Sequence, residues 1–304
     1  MVTTTVIEEL GNLVRTARRD AAPSVVAIGR HGRGSGFVVA PGRVVTNAHN
    51  LRDETTEVRF LDGRAVQGRV AGSDVDGDLV VLDVDTGDAP PLAWADGGAE
   101  PGDVVVTVTA GRHQWRTAWG QVTATEAGFR GPRGRPIVGA IEHATPCGPG
   151  SSGAPLLDVG GRVVGIDTHR LEHGFYLARA VDQPLRDAVA AMGEGRRYEQ
   201  LRLGVALAGA DVATRLRRSV GLDERAGLLV RGVVDGSPAD VAGIEEGDLL
   251  VHIGERDLAT ADDLLAVLAT LAEGDEVVLA VVRGADELDV TVSFAAPEPQ
   301  VGGA

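Results

Sequence analysis

Lysine is absent from the 304 residues: all 29 cationic side chains are arginine, set against 44 Asp and Glu for a formal net charge of −15. That balance excludes nucleic acid as the main partner, because phosphate backbones are held by surplus positive charge. The acidity is the ordinary device of a soluble chain. There is one cysteine, Cys147, so no internal disulfide forms, and it is expected to sit buried as a small hydrophobe. Aromatic residues make up only 3% of the chain, so any core must be built from Val, Leu, Ile and Ala. No run reaches the roughly 18 apolar residues of a membrane-spanning helix. The first 20 residues lack the apolar centre of a signal peptide and read instead as an amphipathic helix, with acids early and arginines late. On these absences the expected compartment is cytoplasmic, or an exported one if a leader precedes the chain.

What is present is 43% hydrophobic residues, 24% charged residues and a length that suits about two domains. Short β-branched runs separated by Gly and Pro fill the first two thirds: 23–28, 34–39, 44–49, 57–61, 65–70, 79–84, 104–109, 114–123, 137–140, 154–157, 163–168 and 174–180. No helical period alternates with them. This spacing predicts an all-β sandwich or barrel rather than a parallel sheet wound with helices. A closing helix is expected over 184–192.

The richest stretch is Thr145-Pro-Cys-Gly-Pro-Gly-Ser-Ser-Gly-Ala-Pro-Leu-Leu157. Glycines two residues before Ser152 and directly after it let backbone approach a ligand closely and free amide N–H groups to converge. A nucleophile with an oxyanion hole needs that arrangement; a plain surface turn also favours these residues. Two further residues stand out. His49 closes an apolar strand among small neighbours. Asp78 is the last polar residue before the buried run Leu79–Leu82, where a carboxylate can stay ionised by orienting a histidine. The alternation Asp74, Asp76, Asp78 imitates a calcium loop, but Leu79 stands where the turn needs Gly and Asp85 where a bidentate Glu is required. The chain order His49, Asp78, Ser152 is that of the chymotrypsin class and differs from the subtilisin and α/β-hydrolase orders. The segment His169-Arg-Leu-Glu172-His173 matches the H-x-x-E-H zinc pattern, yet that chemistry needs a helix and this stretch lies between strands. It is read as a solvated loop, and neither metal nor cofactor is expected.

These flanks resemble the HtrA (Deg) serine proteases. The matching segments are Gly34-Ser-Gly-Phe-Val38, Val45-Thr-Asn-Ala-His49, Asp78-Leu-Val-Val-Leu82, Pro149-Gly-Ser-Ser-Gly-Ala-Pro-Leu156 and Val163-Val-Gly-Ile-Asp-Thr168. The resemblance implies a mainly β fold: a trypsin-like double β-barrel, then a smaller αβ PDZ domain. It implies that Ser152 attacks the scissile carbonyl, His49 takes its proton, Asp78 holds the imidazole, and the backbone N–H groups of Gly150 and Ser152 form the oxyanion hole. Ser151 stands where members usually have Asn, and Ala154 where they have a second Gly. Pro146 stands where trypsin-like enzymes carry the acid that selects a basic side chain, so small or medium aliphatic residues are the implied preference.

A new pattern begins after the polar link near residue 193. Gly-Ser237-Pro-Ala-Asp-Val-Ala-Gly-Ile-Glu-Glu-Gly-Asp248 resembles the signature of circularly permuted bacterial PDZ domains. Leu203, Gly204 and Val205 would then supply the amides that capture a peptide carboxylate. A helix capped by Thr260 over 261–271 would wall the groove, and the peptide would add a strand. The expected organisation is an N-terminal helix (1–21), a protease domain (22–192), a linker (193–199), a PDZ domain (200–296) and a disordered tail (297–304). The leading expectation is a serine endopeptidase acting on unfolded or damaged proteins, its PDZ domain binding C-terminal peptides, with a homo-oligomer compatible with the resemblance. The competing one is a non-catalytic PDZ adaptor or chaperone-like protein with a degenerate protease domain.

Overall fold

A computed structural model describes residues 2–294 apart from 112–113, 133–134, 172–173, 199–200, 220, 269 and 272–273. The stretch assigned to a disordered tail, and Glu172 and His173 of the zinc-like pattern, lie outside the described residues. Contacts divide the chain into two compact units, Met1–Glu199 and Gln200–Ala304.

The first unit opens with helix α1 (Val2–Ala21), which buries Ala17 and Ala21 and leaves Val6 and Ile7 exposed. Six short strands follow: β1 (Val25–Ile28), β2 (Gly34–Ala40), β3 (Arg43–Thr46), β4 (Thr55–Arg59), β5 (Ala65–Asp74) and β6 (Leu79–Asp83). They run in the spatial order β5-β4-β1-β2-β3-β6, and a further pairing of β5 with β6 closes the ring. The second ring is a closed barrel of β7 (Val104–Ala110), β8 (Trp115–Arg130), β9 (Pro136–His143), β10 (Pro155–Leu157), β11 (Val163–Arg170) and β12 (Tyr176–Ala180). Closure removes the unpaired edges that many short strands would otherwise present.

One aliphatic core runs between the rings. Val25, Phe37 and Leu79 of the first meet Val108, Leu157 and Ile166 of the second, and helix α2 (Gln183–Gly193) covers them with Leu185, Val189 and Met192. Asp182 caps α2 by accepting from the Leu185 amide at 2.8 Å, with Pro184 in the first turn, as helix starts favour. The stretch expected to be a polar linker contains β13 (Arg197–Tyr198), which pairs in parallel with Ser73–Asp74. Arg197 also grips Glu54 at 2.7 Å, so these residues are hydrogen-bonded into the first unit.

The second unit comprises β14 (Val205–Ala208), α3 (Ala210–Ser219), β15 (Leu228–Val233), α4 (Pro238–Val241), β16 (Leu249–Ile253), β17 (Arg256–Asp257), α5 (Ala261–Leu268), β18 (Glu276–Arg283) and β19 (Asp286–Ser293). Its sheet is ordered β14-β15-β16-β18-β19, with β14 at an edge. Val205 and Leu207 of β14 share an apolar cluster with Leu264, Val267 and Leu268 of α5. The α5 cap runs opposite to expectation. The Thr260 hydroxyl does not accept from the helix; it donates to Asp263 at 2.8 Å, and Asp263 reaches back to the Thr260 amide at 2.8 Å.

Candidate active site

The loop that ends at Asp78 is held unusually. Asp78 has φ 58°, the only positive φ of a non-glycine residue among those described. Asp tolerates this region better than most residues, at a cost of roughly 1–3 kcal/mol. The surroundings hold it there. The Asp78 carbonyl accepts from the Ala48 amide at 3.1 Å and from Asn47 Nδ2 at 3.0 Å. One turn earlier, Asp74 Oδ1 accepts from the Gly77 amide at 2.8 Å, and Arg179 of the second barrel donates to the Gly77 carbonyl. Burial lowers the Arg179 pKa, opposed by the nearby Asp74 carboxylate.

That backbone aims the Asp78 carboxylate at His49, which sits in a 3₁₀ turn (Ala48–Asn50) just past β3. His49 Nδ1 lies 2.7 Å from Oδ2 and 3.0 Å from Oδ1, and the His49 amide donates to Oδ1 at 3.1 Å. Thr168 Oγ1 donates to Oδ2 at 2.9 Å. Asp78 is 3% exposed, so its charge is satisfied by hydrogen bonds rather than by water. With Nδ1 donating to this carboxylate, Nε2 carries the lone pair of the neutral ring.

The loop that carries Ser152 is built by a turn that its sequence demands. Gly148-Pro149-Gly150-Ser151 is a type II turn: Pro149 fills the second position, Gly150 has φ 90° at the third, and the Ser151 amide donates to the Gly148 carbonyl at 3.2 Å. Gly153, at φ 87°, is needed for space as well. A Cβ there would lie 2.1 Å from the Ser35 carbonyl oxygen and 2.6 Å from Thr46 Oγ1. The amides of Ser151, Gly153 and Ala154 are all engaged inside the protein, by Gly148, Asp167 and Ser151 respectively. Those of Gly150 and Ser152 meet no acceptor among the described residues. The Ser152 carbonyl accepts from the Ser35 amide and from Asn50 Nδ2, each at 2.8 Å, and Ser35 Oγ donates to the Gly150 carbonyl at 2.8 Å. Ser35 therefore fixes the peptide group that follows each unengaged amide, on the C-terminal side of Gly150 and of Ser152.

His49 and Asp78 are in direct contact, and Thr168 ties them to Ser152, whose Oγ donates to the Thr168 carbonyl at 3.3 Å. Ser152 Oγ makes no hydrogen bond to His49. Beside Ser152 opens a pocket of about 160 Å³, lined by Gly148 to Ser152, by Asp167 to Arg170 and by Tyr176 and Leu177. Behind it lies a buried polar cluster. His143 Nε2 stands 3.1 Å from Asp167 Oδ1, poorly aligned for a hydrogen bond, while Asp167 Oδ2 accepts from Thr107 Oγ1 at 2.9 Å. Cys147 is buried, as expected from sequence, with its thiol 3.6 Å from the same oxygen. A larger cleft of about 590 Å³ lies beside Arg64 and contains none of the candidate residues, so size does not mark the site.

Sequence reasoning missed Thr168, Asn47, Ser35 and Arg179, because no spacing rule links a hydroxyl on β11 or a cation on β12 to a carboxylate some 100 residues earlier. It also missed the Asp167–His143 contact. His169 of the zinc-like pattern lies on β11 paired with Leu177, and its ring stacks on Phe129 with centroids 6.3 Å apart. No cluster of metal-binding side chains occurs among the described residues. In the second unit, the carbonyls of Leu203 and Gly204 are taken by the amides of Ala239 (2.9 Å) and Val234 (2.8 Å), while their own amides meet no acceptor among the described residues. Val205 begins the edge strand β14.

Comparison with known proteins agrees with this architecture. Residues 34–166 match the trypsin-like peptidase domain and residues 202–294 the PDZ domain. A probable periplasmic serine endoprotease DegP-like of Hahella chejuensis is 29% identical over 273 residues, covering 86% of this chain and 56% of the relative. Its counterpart in Rickettsia prowazekii is 26% identical, covering 88% and 54%. The chain thus spans about half the length of the curated relatives it matches. Among solved structures, an HtrA-type protease AlgW with decapeptide superposes with a TM-score of 0.73 at 22% identity, covering 94% of this chain and 99% of the other. The serine endoprotease from Yersinia pestis gives 0.68 at 22%, covering 92% and 96%. These likenesses overturn the cytoplasmic expectation, since the curated relatives are named periplasmic. A leader is a cleavable address and not part of the fold, so composition could not record the compartment. Among the described residues no helix is long and apolar enough to cross a membrane. With a trypsin-like peptidase domain followed by a PDZ domain, the chain is similar along most of its length to DegP-like serine endoproteases.

Proposed function

We propose that this chain is a serine endopeptidase that hydrolyses peptide bonds of unfolded or damaged polypeptides, with a protease domain over 22–192 and a PDZ domain over 200–296 that captures C-terminal peptides. The observation that carries the reading is the Asp78–His49 contact at 2.7 Å, joined through Thr168 to Ser152. Ser152 Oγ attacks the scissile carbonyl. His49 Nε2 accepts its proton and later gives it to the leaving amine, and Asp78 holds the ring and offsets the positive charge it gains. The unengaged amides of Gly150 and Ser152 stabilise the oxyanion. The hydroxyl now on the Thr168 carbonyl rotates to His49 when substrate arrives; catalytic hydrogen bonds often form only in the complex. The unengaged amides of Leu203 and Gly204, with edge strand β14, support peptide capture by strand addition. Exposed Val6 and Ile7 on α1 support self-association, which light scattering on the full chain would measure. The relatives' names support action in an exported compartment.

The test is hydrolysis of casein or a quenched peptide by the full chain. Ser152→Ala should lower the rate by roughly 10⁶-fold while leaving the fold intact. An unchanged rate would refute the assignment.

A further inference from the structure

The same histidine that activates Ser152 must protonate the leaving amine. The polypeptide downstream of the cut therefore departs across the face of the first barrel that carries His49. A cavity of about 410 Å³ opens on that face, walled by the turn Gly29–Arg33 and by the segment from Asn50 to Glu57. It reaches the loop that carries Ser152 through Asn50. Asn50 lines it and donates to the Ser152 carbonyl at 2.8 Å, and the Gly32 carbonyl oxygen lies 2.9 Å from where a Cβ on Gly150 would stand. The turn is pinned by Gly32 N–H to Gly29 O and Arg33 N–H to Ile28 O, both at 2.9 Å.

The charge of this cavity runs against that of the molecule. In a chain of net charge −15, the cavity is lined by exposed Arg30, His31, Arg33 and Arg52. Two carboxylates also line it, Asp53 and Glu57, and Glu57 is held by Arg59 at 2.7 Å. Among the described residues no carboxylate lies within ion-pair distance of Arg30, Arg33 or Arg52, so these exposed guanidinium groups are available to an anionic ligand. Such a ligand would gain charge-assisted hydrogen bonds from them.

We propose that this cavity is the subsite for the segment downstream of the scissile bond and that it selects aspartate and glutamate side chains there. The proposal rests on the peptidase reading above. Each arginine–carboxylate pair at an exposed site contributes about a 2- to 5-fold preference, so two acidic residues together give roughly 10-fold.

The experiment uses the full chain and internally quenched peptides with one fixed sequence before the cut and amidated C-termini. Residues two and three after the cut are paired Asp/Glu, Asn/Gln or Arg. The expected kcat/KM for the acidic peptide is about 10-fold above the amide peptide, shrinking toward unity in roughly 0.5 M salt as screening sets in. The triple variant Arg30→Glu, Arg33→Glu, Arg52→Glu should invert the order and favour the Arg peptide. An arylamide substrate with the same residues before the cut and no peptide after it should be cleaved equally by both proteins, which reads the integrity of Ser152 and His49. Equal rates on all three peptides, with the arylamide cleaved, would overturn the subsite. So would an acidic preference that survives the charge reversal. Failure to cleave any substrate, the arylamide included, brings down the peptidase reading and the subsite with it.

Discussion

Asp78 combines a left-handed backbone with a carboxylate that takes three hydrogen bonds from His49 and Thr168, so small changes at this residue should separate chemistry from folding. Asp78→Asn keeps the shape and the tolerance for positive φ but loses the charge and inverts the histidine tautomer, and should lower kcat roughly 10⁴-fold. Thr168→Val removes one charge-assisted hydrogen bond to a buried carboxylate and should reduce kcat/KM about tenfold while lowering stability by about 1–3 kcal/mol. If Thr168→Val is fully active, Thr168 does not position Asp78. Cys147 makes a prediction of a different kind. Burial first, then the adjacent Asp167 carboxylate, pushes its thiol well above the ordinary value. The unfolded chain releases this proton near pH 8.5, while the folded protein keeps it. The contribution to stability is thus complete below about pH 8.5 and is lost as pH rises above it, by up to about 1.4 kcal/mol per pH unit. Cys147→Ala should flatten that alkaline slope in urea melts between about pH 8 and 10, and parallel slopes would show the thiol ionises freely.

At the scale of elements, the turn that carries Ser152 was the most legible feature of the sequence. Gly, Pro and Ser each have a single reason to stand where they do: Pro149 and Gly150 make the type II turn, and Gly153 makes room for the Ser35 carbonyl. Gly153→Ala should therefore abolish activity and lower stability by about 1–3 kcal/mol, since it imposes both positive-φ strain and a backbone clash. The short strands were legible too, because β-branched runs between turn signals leave little freedom. The long hairpin of β8 and β9 was less so. Its strands extend several residues beyond the apolar runs at 114–123 and 137–140, because ladder pairing with a neighbour sustains stretches such as Ala124–Arg130 that carry little hydrophobic pattern of their own. Arg197–Tyr198 escaped notice for the same reason: two polar-looking residues form a strand only because β5 offers them an edge.

Taken whole, no hydrophobic cluster of the described residues is shared between the two units: the first holds three, one of them spanning both barrels, and the second holds two. Two unfolding transitions should appear in calorimetry, and a local lesion should move only one. Asp248, 1% exposed, is gripped by Arg283 through two bonds of 2.8 Å, and Arg283 also donates to the Gly243 carbonyl at 2.7 Å. Asp248→Ala should lower the second unit's transition by about 1–3 kcal/mol, discounted because Arg283 keeps partial contact with water, and leave the other in place. A shift of both transitions would mean the units unfold together. The order of motifs along the sequence sufficed to read a protease followed by a PDZ domain, whereas the compartment left no trace in composition or pattern. The account turns on Ser152, with Ser151 directly beside it. The most direct test is to treat the full chain with a fluorophosphonate, alone and with C-terminal peptides that occupy the PDZ groove, and to map the adduct by mass spectrometry. The prediction is a single adduct on Ser152 that is lost in His49→Ala; an adduct on Ser151, or none under any condition, would contradict it.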